Sequence, residues 1–176
     1  MCIRDRFLIK IAEKCEKERV RLVLDECFVQ FLTSGEEASM QLETGRFRYL
    51  FVLQAFTKIY AVPGIRLGYG ISSDKALLER METVRQPWSV STPAQAAGLS
   101  ALKEDHREEQ TRQLVKSERE RMEKELENLR IEYIPSEANF LLFNSEINWF
   151  EELKKRGILI RDCANYRGLG NGWYRL

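Results

Sequence analysis

The stretch Phe56-Thr57-Lys58-Ile59-Tyr60-Ala61-Val62-Pro63-Gly64-Ile65-Arg66-Leu67-Gly68-Tyr69 sets a hydroxyl, a lysine and an arginine between an apolar segment and a glycine-bearing turn. A lysine amine in a partly apolar setting can condense with an aldehyde to an imine, and a nearby hydroxyl and guanidinium suit a phosphate monoester. Lys58, flanked by Thr57 and Arg66, therefore reads as a site for a phosphate-bearing aldehyde. The same residues also read as a strand running into a Pro-Gly turn with a solvated lysine. Partners elsewhere in the chain must distinguish the two.

The first partner is Asp25, in Arg21-Leu22-Val23-Leu24-Asp25-Glu26-Cys27-Phe28. Val20 to Leu24 is a nearly continuous apolar run ending in carboxylates, the pattern of a buried parallel strand whose carboxyl end opens on a site. Pyridoxal phosphate needs a carboxylate there to keep its ring nitrogen protonated. The separation from Asp25 to Lys58 leaves room for a loop, a short helix from Glu36 to Thr44 opened by a capping box at Ser34-Gly35-Glu36-Glu37, and a strand from Tyr49 to Leu53. That is one crossover returning to a parallel sheet, which sets Asp25 and Lys58 at the same edge.

With both segments in this order, the chain resembles the fold-type I pyridoxal-phosphate enzymes of the class I/II aminotransferase group. Asp25-Glu26-x-Phe28 resembles the family's Asp-Glu-x-aromatic segment, and Thr57-Lys58 with Gly64-Ile65-Arg66-Leu67-Gly68-Tyr69 resembles its Schiff-base segment. The resemblance runs from about Val20 to the last residue. It implies an α/β, PLP-dependent transferase-like fold: part of a large, mostly parallel-sheet domain, residues 1–103, followed by an incomplete small α+β domain, residues 104–176. It implies pyridoxal 5'-phosphate as cofactor, with Lys58 forming the Schiff base, Asp25 pairing with the pyridinium, Phe28 beside the cofactor, and Thr57 and Arg66 holding the phosphate. A small-molecule amino acid or amino phosphate as substrate and a homodimer in the full-length protein are further implications.

Within the family, Phe28 occupies a position that is commonly a tyrosine in histidinol-phosphate aminotransferases, where a hydroxyl reaches the cofactor; phenylalanine cannot make that bond. Threonine-phosphate decarboxylases of cobalamin biosynthesis often carry phenylalanine there, and the segments Gly157-Ile158-Leu159-Ile160-Arg161-Asp162 and Trp173-Tyr174-Arg175-Leu176 also resemble that branch. The resemblance implies that Arg161 and Arg175 contact substrate, Arg175 through its carboxylate. Two permanently charged planar forks suit an amino acid that also bears a phosphate. A surface ion pair of Arg161 with Asp162 is the plainer reading. The alternatives are transamination of histidinol phosphate or a related substrate with 2-oxoglutarate, and a cofactor-binding regulatory domain without activity.

Composition points the same way. Lys and Arg total 28 against 27 Asp and Glu, so no net field favours nucleic acid or an acidic membrane. The run from Asp105 to Glu127 alternates charges without aromatics, as a solvated helix does. Cysteines 2, 15, 27 and 163 form no Cys-x-x-Cys pair and no metal spacing with the single histidine, His106, which reads as an exposed residue near a helix start. No metal site is expected, the thiols read as reduced and cytoplasmic, and no stretch reaches the roughly 20 apolar residues that span a bilayer.

The elements that position these residues follow from punctuation. A helix is expected over Phe7 to Glu18 with Phe7, Ile11 and Cys15 inward, a strand over Ile65 to Ile71, and a helix from Asp74 to about Arg85 capped by Ser73. Thr92-Pro93 opens a small-residue helix read as a buried packing element, with Trp88 before it in core or interface. A long helix from Arg107 to Leu129 carries a stripe of Gln110, Leu114, Met122, Leu126 and Leu129. Strands are expected at Asn139 to Phe143, Ile158 to Arg161 and from Trp173, with a helix from Asn148 to Arg156. Residues 1–6 fit no part of the resemblance and read as an artificial start. The amino-terminal half that supplies the ring-stacking aromatic and a phosphate-binding turn in this family is missing, so the chain is expected to be an inactive carboxyl-terminal fragment.

Overall fold

Helix α1 (Ile3–Glu18) is free of Gly and Pro and is reinforced by a Lys14–Glu18 ion pair of 2.9 Å one turn apart. It ends as Arg19 turns left-handed (φ 55°) and the Val20 amide reaches back to the Cys15 carbonyl. Leu8, Ile9 and Ala12 pack inward against Met40, Phe47, Leu50 and Val52. Of the expected inward stripe, Ile11 and Cys15 are half-buried, but Phe7 is 63 % exposed. Both stripes have helical spacing; a tertiary contact chooses between them. The Glu16 carboxylate accepts from the Tyr49 amide at 2.9 Å, which rotates the helix onto its Leu8-Ile9-Ala12 side.

The computed structural model describes residues 3–34, 38–104 and 106–176, in two compact units, Met1–Thr111 and Arg112–Leu176. In the first unit, β1 (Leu22–Asp25) lies parallel to β2 (Leu50–Ala55), with Leu22 opposite Leu50 and Asp25 opposite Leu53. The parallel crossover is therefore formed. Of the helix expected between these strands, Gly35, Glu36 and Glu37 lie outside the described residues, and the rest is a 3-10 turn at Gln41–Gly45. β3 (Gly68–Ile71) joins β2 antiparallel, giving the order β1-β2-β3. It is shorter than the strand expected from Ile65, because Pro63–Ile65 forms its own 3-10 turn.

Sequence suggests a β1 buried on both faces, but its residues alternate. Leu22 and Leu24 pack on the α1 side, whereas Val23 is 53 % exposed and Asp25 opens to solvent. Gly70 is required where it stands: a Cβ there would lie 2.3 Å from the Phe51 ring, which fills that space.

Helix α2 (Phe56–Ile59) is a single turn directly after β2. Helix α3 (Lys75–Val84) is capped by Asp74 and not by Ser73; the Asp74 carboxylate accepts from the Leu77 amide and pairs with Arg21 and Arg48. The Arg21 hydrogen bond is the main cause holding this carboxyl below the ordinary carboxylate range. A depressed folded pKa contributes stability at pH above the unfolded value of about 3.9, and that contribution is lost as pH falls through the folded value. Asp74→Asn is therefore expected to lower Tm by several degrees at pH 7 and to remove part of the loss on acidification, measured by thermal melts from pH 7 to pH 2.

Helix α4 (Thr92–Ala101) is capped by Ser91, whose hydroxyl accepts from the Ala94 amide, so Thr92 and Pro93 are both inside the helix. The expectation of a buried small-residue helix holds for Ala94 and Gly98 alone. Trp88 is 95 % exposed at φ 58° and belongs to no core here. His106 is exposed beside the start of α5, as expected.

Helix α5 (Arg107–Asn128) spans the division between the units. Of its expected stripe, Leu126 is buried and Met122 packs beside it, whereas Leu114 and Leu129 stay over 60 % exposed. The second unit's sheet contains β4 (Glu132–Ile134), which the sequence reading missed, β5 (Leu142–Asn144), β6 (Arg161–Asp162) and β7 (Trp173–Arg175), antiparallel throughout in the order β4-β5-β7-β6. α6 (Trp149–Lys154), capped by Asn148, packs with α5 on one face over Leu141, Phe143, Ile160 and Tyr174. The strand expected over Ile158 to Arg161 begins only at Arg161, and Leu159 is 80 % exposed. The exposed stretch before it keeps its apolar character without pairing.

Candidate active site

Phe56 and Ile59 are buried and anchor the α2 turn, so the intervening Thr57 and Lys58 face outward just past the end of β2. Ring stacking of Phe56 on Tyr60, with centroids 5.2 Å apart, and a 2.6 Å bond from the Tyr60 hydroxyl to Glu108 hold the turn from behind. The Lys58 ammonium lies 5.5 Å from the centre of the Phe28 ring. The aromatic face can hold the cation in place without neutralising it.

Asp25 sits at the tip of β1, one strand from the segment that leads into Lys58. Hydrogen bonds from the Cys27 thiol and amide, the latter 3.0 Å, hold its carboxyl below the ordinary range, with a smaller contribution from the charge of Lys58. The same contact acts oppositely on Cys27. Burial first, then the bond to Asp25, push its thiol up to about 11. At pH 8 Cys27 should therefore be alkylated about 10²-fold more slowly than an unperturbed thiol. Asp25→Asn should recover part of that rate, since burial remains; site-resolved alkylation followed by mass spectrometry reads both effects.

Arg66 is left-handed at φ 55°, a conformation that costs a non-glycine residue about 1–2 kcal/mol, and its guanidinium donates to the Pro63 carbonyl at 3.3 Å. The turn projects the side chain into solvent beside β3. The first unit thus brings Asp25, Phe28, Thr57, Lys58 and Arg66 to the carboxyl end of the parallel strand pair, the edge where ligands bind in open α/β sheets.

In the second unit Arg161 and Arg175 are direct cross-strand partners on β6 and β7. Both are exposed, on the face opposite buried Tyr174. Arg161 lies over Tyr166 at 5.4 Å and donates to Asn165, and Arg175 lies over Phe140 at 5.4 Å. The surface pairing of Arg161 with Asp162 is not formed, because the Asp162 carboxylate accepts from the Ala164 amide. Like charges directly opposite each other repel, so this pair gains by binding an anion between or beside its guanidiniums.

Sequence reading overlooked Glu26 and Gln54. Both are buried, at 6 % and 5 % exposure, and share a network with Ser39, Gln41 and Tyr69 beside a cavity of about 180 Å³. Strand alternation alone could have turned Glu26 inward, because Asp25 faces out. Among the described residues no cluster of His, Cys, Asp or Glu could hold a metal ion, and no helix is long and apolar enough to cross a membrane.

An amine, an ionised carboxylate and a hydroxyl-guanidinium pair at one sheet edge are the donor set of a pyridoxal-phosphate enzyme, and the residues present fit that group. Residues 4–176 match the family model for aminotransferase class I and II, and the chain belongs to that family of pyridoxal 5'-phosphate enzymes. The chain is 36 % identical to threonine-phosphate decarboxylase of Salmonella typhimurium over 94 % of its length, and 33 % identical to histidinol-phosphate aminotransferase of Bdellovibrio bacteriovorus over 92 %. It covers 46 % and 43 % of these two relatives, and so spans about half their length. The crystal structure of the histidinol-phosphate aminotransferase from Clostridium acetobutylicum superposes with a TM-score of 0.88 at 31 % identity, over 95 % of this chain and 52 % of that one.

Proposed function

We propose that the protein containing this chain decarboxylates L-threonine O-3-phosphate, a step of cobalamin biosynthesis, with pyridoxal phosphate carried on Lys58. The pairing of Arg161 opposite Arg175 is the observation that carries this reading. A small amino acid with both a carboxylate and a phosphate presents two anions close together, which two neighbouring guanidiniums suit. Phe28, without a hydroxyl to reach the cofactor, supports the same branch.

When bound, the cofactor's protonated ring accepts the electron pair released as a bond to the substrate's alpha carbon breaks. Asp25 holds the proton on the ring nitrogen, and its low pKa keeps it charged for that role. Thr57 and Arg66 bind the phosphate end. Lys58 would hold the aldehyde end, and its amine could also carry a proton to the substrate's alpha carbon. Arg175 would take the substrate carboxylate and Arg161 its phosphate. Activity is assigned to the whole protein, of which residues 1–103 form part of the cofactor domain and 104–176 part of the small domain.

The test is incubation of the full-length protein with O-phosphothreonine, and separately with histidinol phosphate plus 2-oxoglutarate. Carbon dioxide from the first and no glutamate from the second is expected; the reverse result would assign the protein to transamination.

A further inference from the structure

Asp25 and Glu26 are consecutive residues at the end of β1, and their side chains leave the sheet on opposite faces. Asp25 opens outward, whereas Glu26 enters the interior and ends in a closed set of donors. The Met40 amide donates to Oε1 at 2.9 Å, and the Ser39 hydroxyl and the Gln54 amide donate to Oε2, the latter at 3.4 Å. Gln54 also donates to Ser39 at 3.2 Å, and its carbonyl accepts from the Tyr69 hydroxyl at 2.9 Å. One buried carboxylate thereby ties together the tip of β1, the loop at Ser39-Met40, the β2 residue just before the Lys58 turn, and β3 behind Arg66.

A buried carboxylate is a poor choice for stability alone, because a well-packed apolar side chain of similar volume serves as well or better. Fully satisfied, such a group selects one conformation over its neighbours. The conformation selected here includes the backbone of residues 25–29. The Glu26 amide bonds to the Leu53 carbonyl at 2.9 Å, and the Val29 amide closes a turn onto the Glu26 carbonyl at 3.0 Å. Cys27, whose amide grips Asp25, lies within that turn.

We propose that Glu26 is a positioning residue: its buried carboxylate, held by Ser39, Met40 and Gln54, fixes the turn that aims Asp25 at the cofactor's ring nitrogen. The inference rests on the reading of Asp25 as the pyridinium partner. Glu26 touches neither cofactor nor substrate and acts through Asp25.

Cys27 reports on this geometry without any cofactor, because its thiol is held protonated partly by Asp25. The experiment is a double-mutant cycle on the chain: Glu26→Ala, Asp25→Asn and the double variant. The pH dependence of Cys27 alkylation is followed by mass spectrometry, with folding monitored by circular dichroism. Glu26→Ala is expected to shift the Cys27 profile to lower pH by about as much as Asp25→Asn does, with no further shift in the double variant. Glu26→Gln keeps one acceptor oxygen, for the Met40 amide, and turns an NH2 towards Ser39 and Gln54, so it should restore the profile only in part. An unmoved profile in folded Glu26→Ala, or shifts that simply add, would overturn the proposal. Should Glu26→Ala not fold, Ser39→Ala and Gln54→Met enter the same cycle; each is expected to give a smaller shift that also vanishes with Asp25→Asn, and additivity there counts against the proposal equally. If Asp25 were not the ring partner, the cycle would still close, while the absorbance spectrum of the cofactor-loaded full-length protein would be indifferent to Asp25→Asn.

Discussion

Lys58→Ala in the full-length protein is expected to abolish covalent attachment of pyridoxal phosphate and to reduce turnover by about 10²- to 10⁴-fold or more, the range associated with losing a positioned proton-transfer group. Intact mass after borohydride reduction checks attachment, and carbon dioxide release checks turnover. The expected effect is large because, on the proposed reading, one amine serves twice, as the anchor of the aldehyde and as the proton holder at the alpha carbon. Its location explains why no other residue substitutes. Phe56 and Ile59 clamp the turn from inside, and the Phe28 ring lies 5.5 Å from the ammonium. No second lysine occurs between Lys17 and Lys75. Lys58→Arg should fare no better, since a guanidinium stays protonated and does not form the imine. Normal turnover in Lys58→Ala would remove Lys58 from the role of imine-forming lysine.

Arg175→Ala is expected to lower kcat/KM for O-phosphothreonine by roughly 30-fold to several thousand-fold, corresponding to about 2–5 kcal/mol for stranding one charge of a close pair. Arg161→Ala should instead erode the preference for phosphorylated over unphosphorylated threonine. Removing either arginine also relieves the repulsion across β6 and β7, so Tm should hold or rise while activity falls. That opposition separates a binding role from a structural one. Lysine at either position should rescue poorly, because a point charge lacks the two-pronged geometry of a guanidinium. Steady-state kinetics with both substrates and a thermal melt decide the matter; unchanged kcat/KM in both variants would return the two arginines to the status of surface charges.

Much of this site was legible in the chain itself. An apolar run ending at Asp25, a crossover of the right length and a lysine after the next apolar run fix a parallel strand pair with both groups at one edge, because strand direction and connection length leave little other choice. The arginines at 161 and 175 were legible as candidates, but their direct opposition was not, since β6 begins later than its apolar residues suggest and register depends on β7. The cap of α3 was misplaced by one residue, at Ser73 where Asp74 serves. Neighbouring hydroxyls and carboxylates have similar capping power locally, and the contacts of Arg21 and Arg48 with Asp74 come from far along the chain.

The sequence by itself determined the order and type of the main elements, the place of Lys58 and Asp25 at one sheet edge, and the family to which the chain belongs, because periodicity, turn residues and motif spacing are local properties. Only the tertiary structure decided which face of α1 is buried, that β1 is open on the side of Asp25, and that Glu26 and Gln54 meet behind the site. Those outcomes depend on partners tens of residues apart, where burial and hydrogen-bond satisfaction choose among arrangements that the local pattern leaves equal.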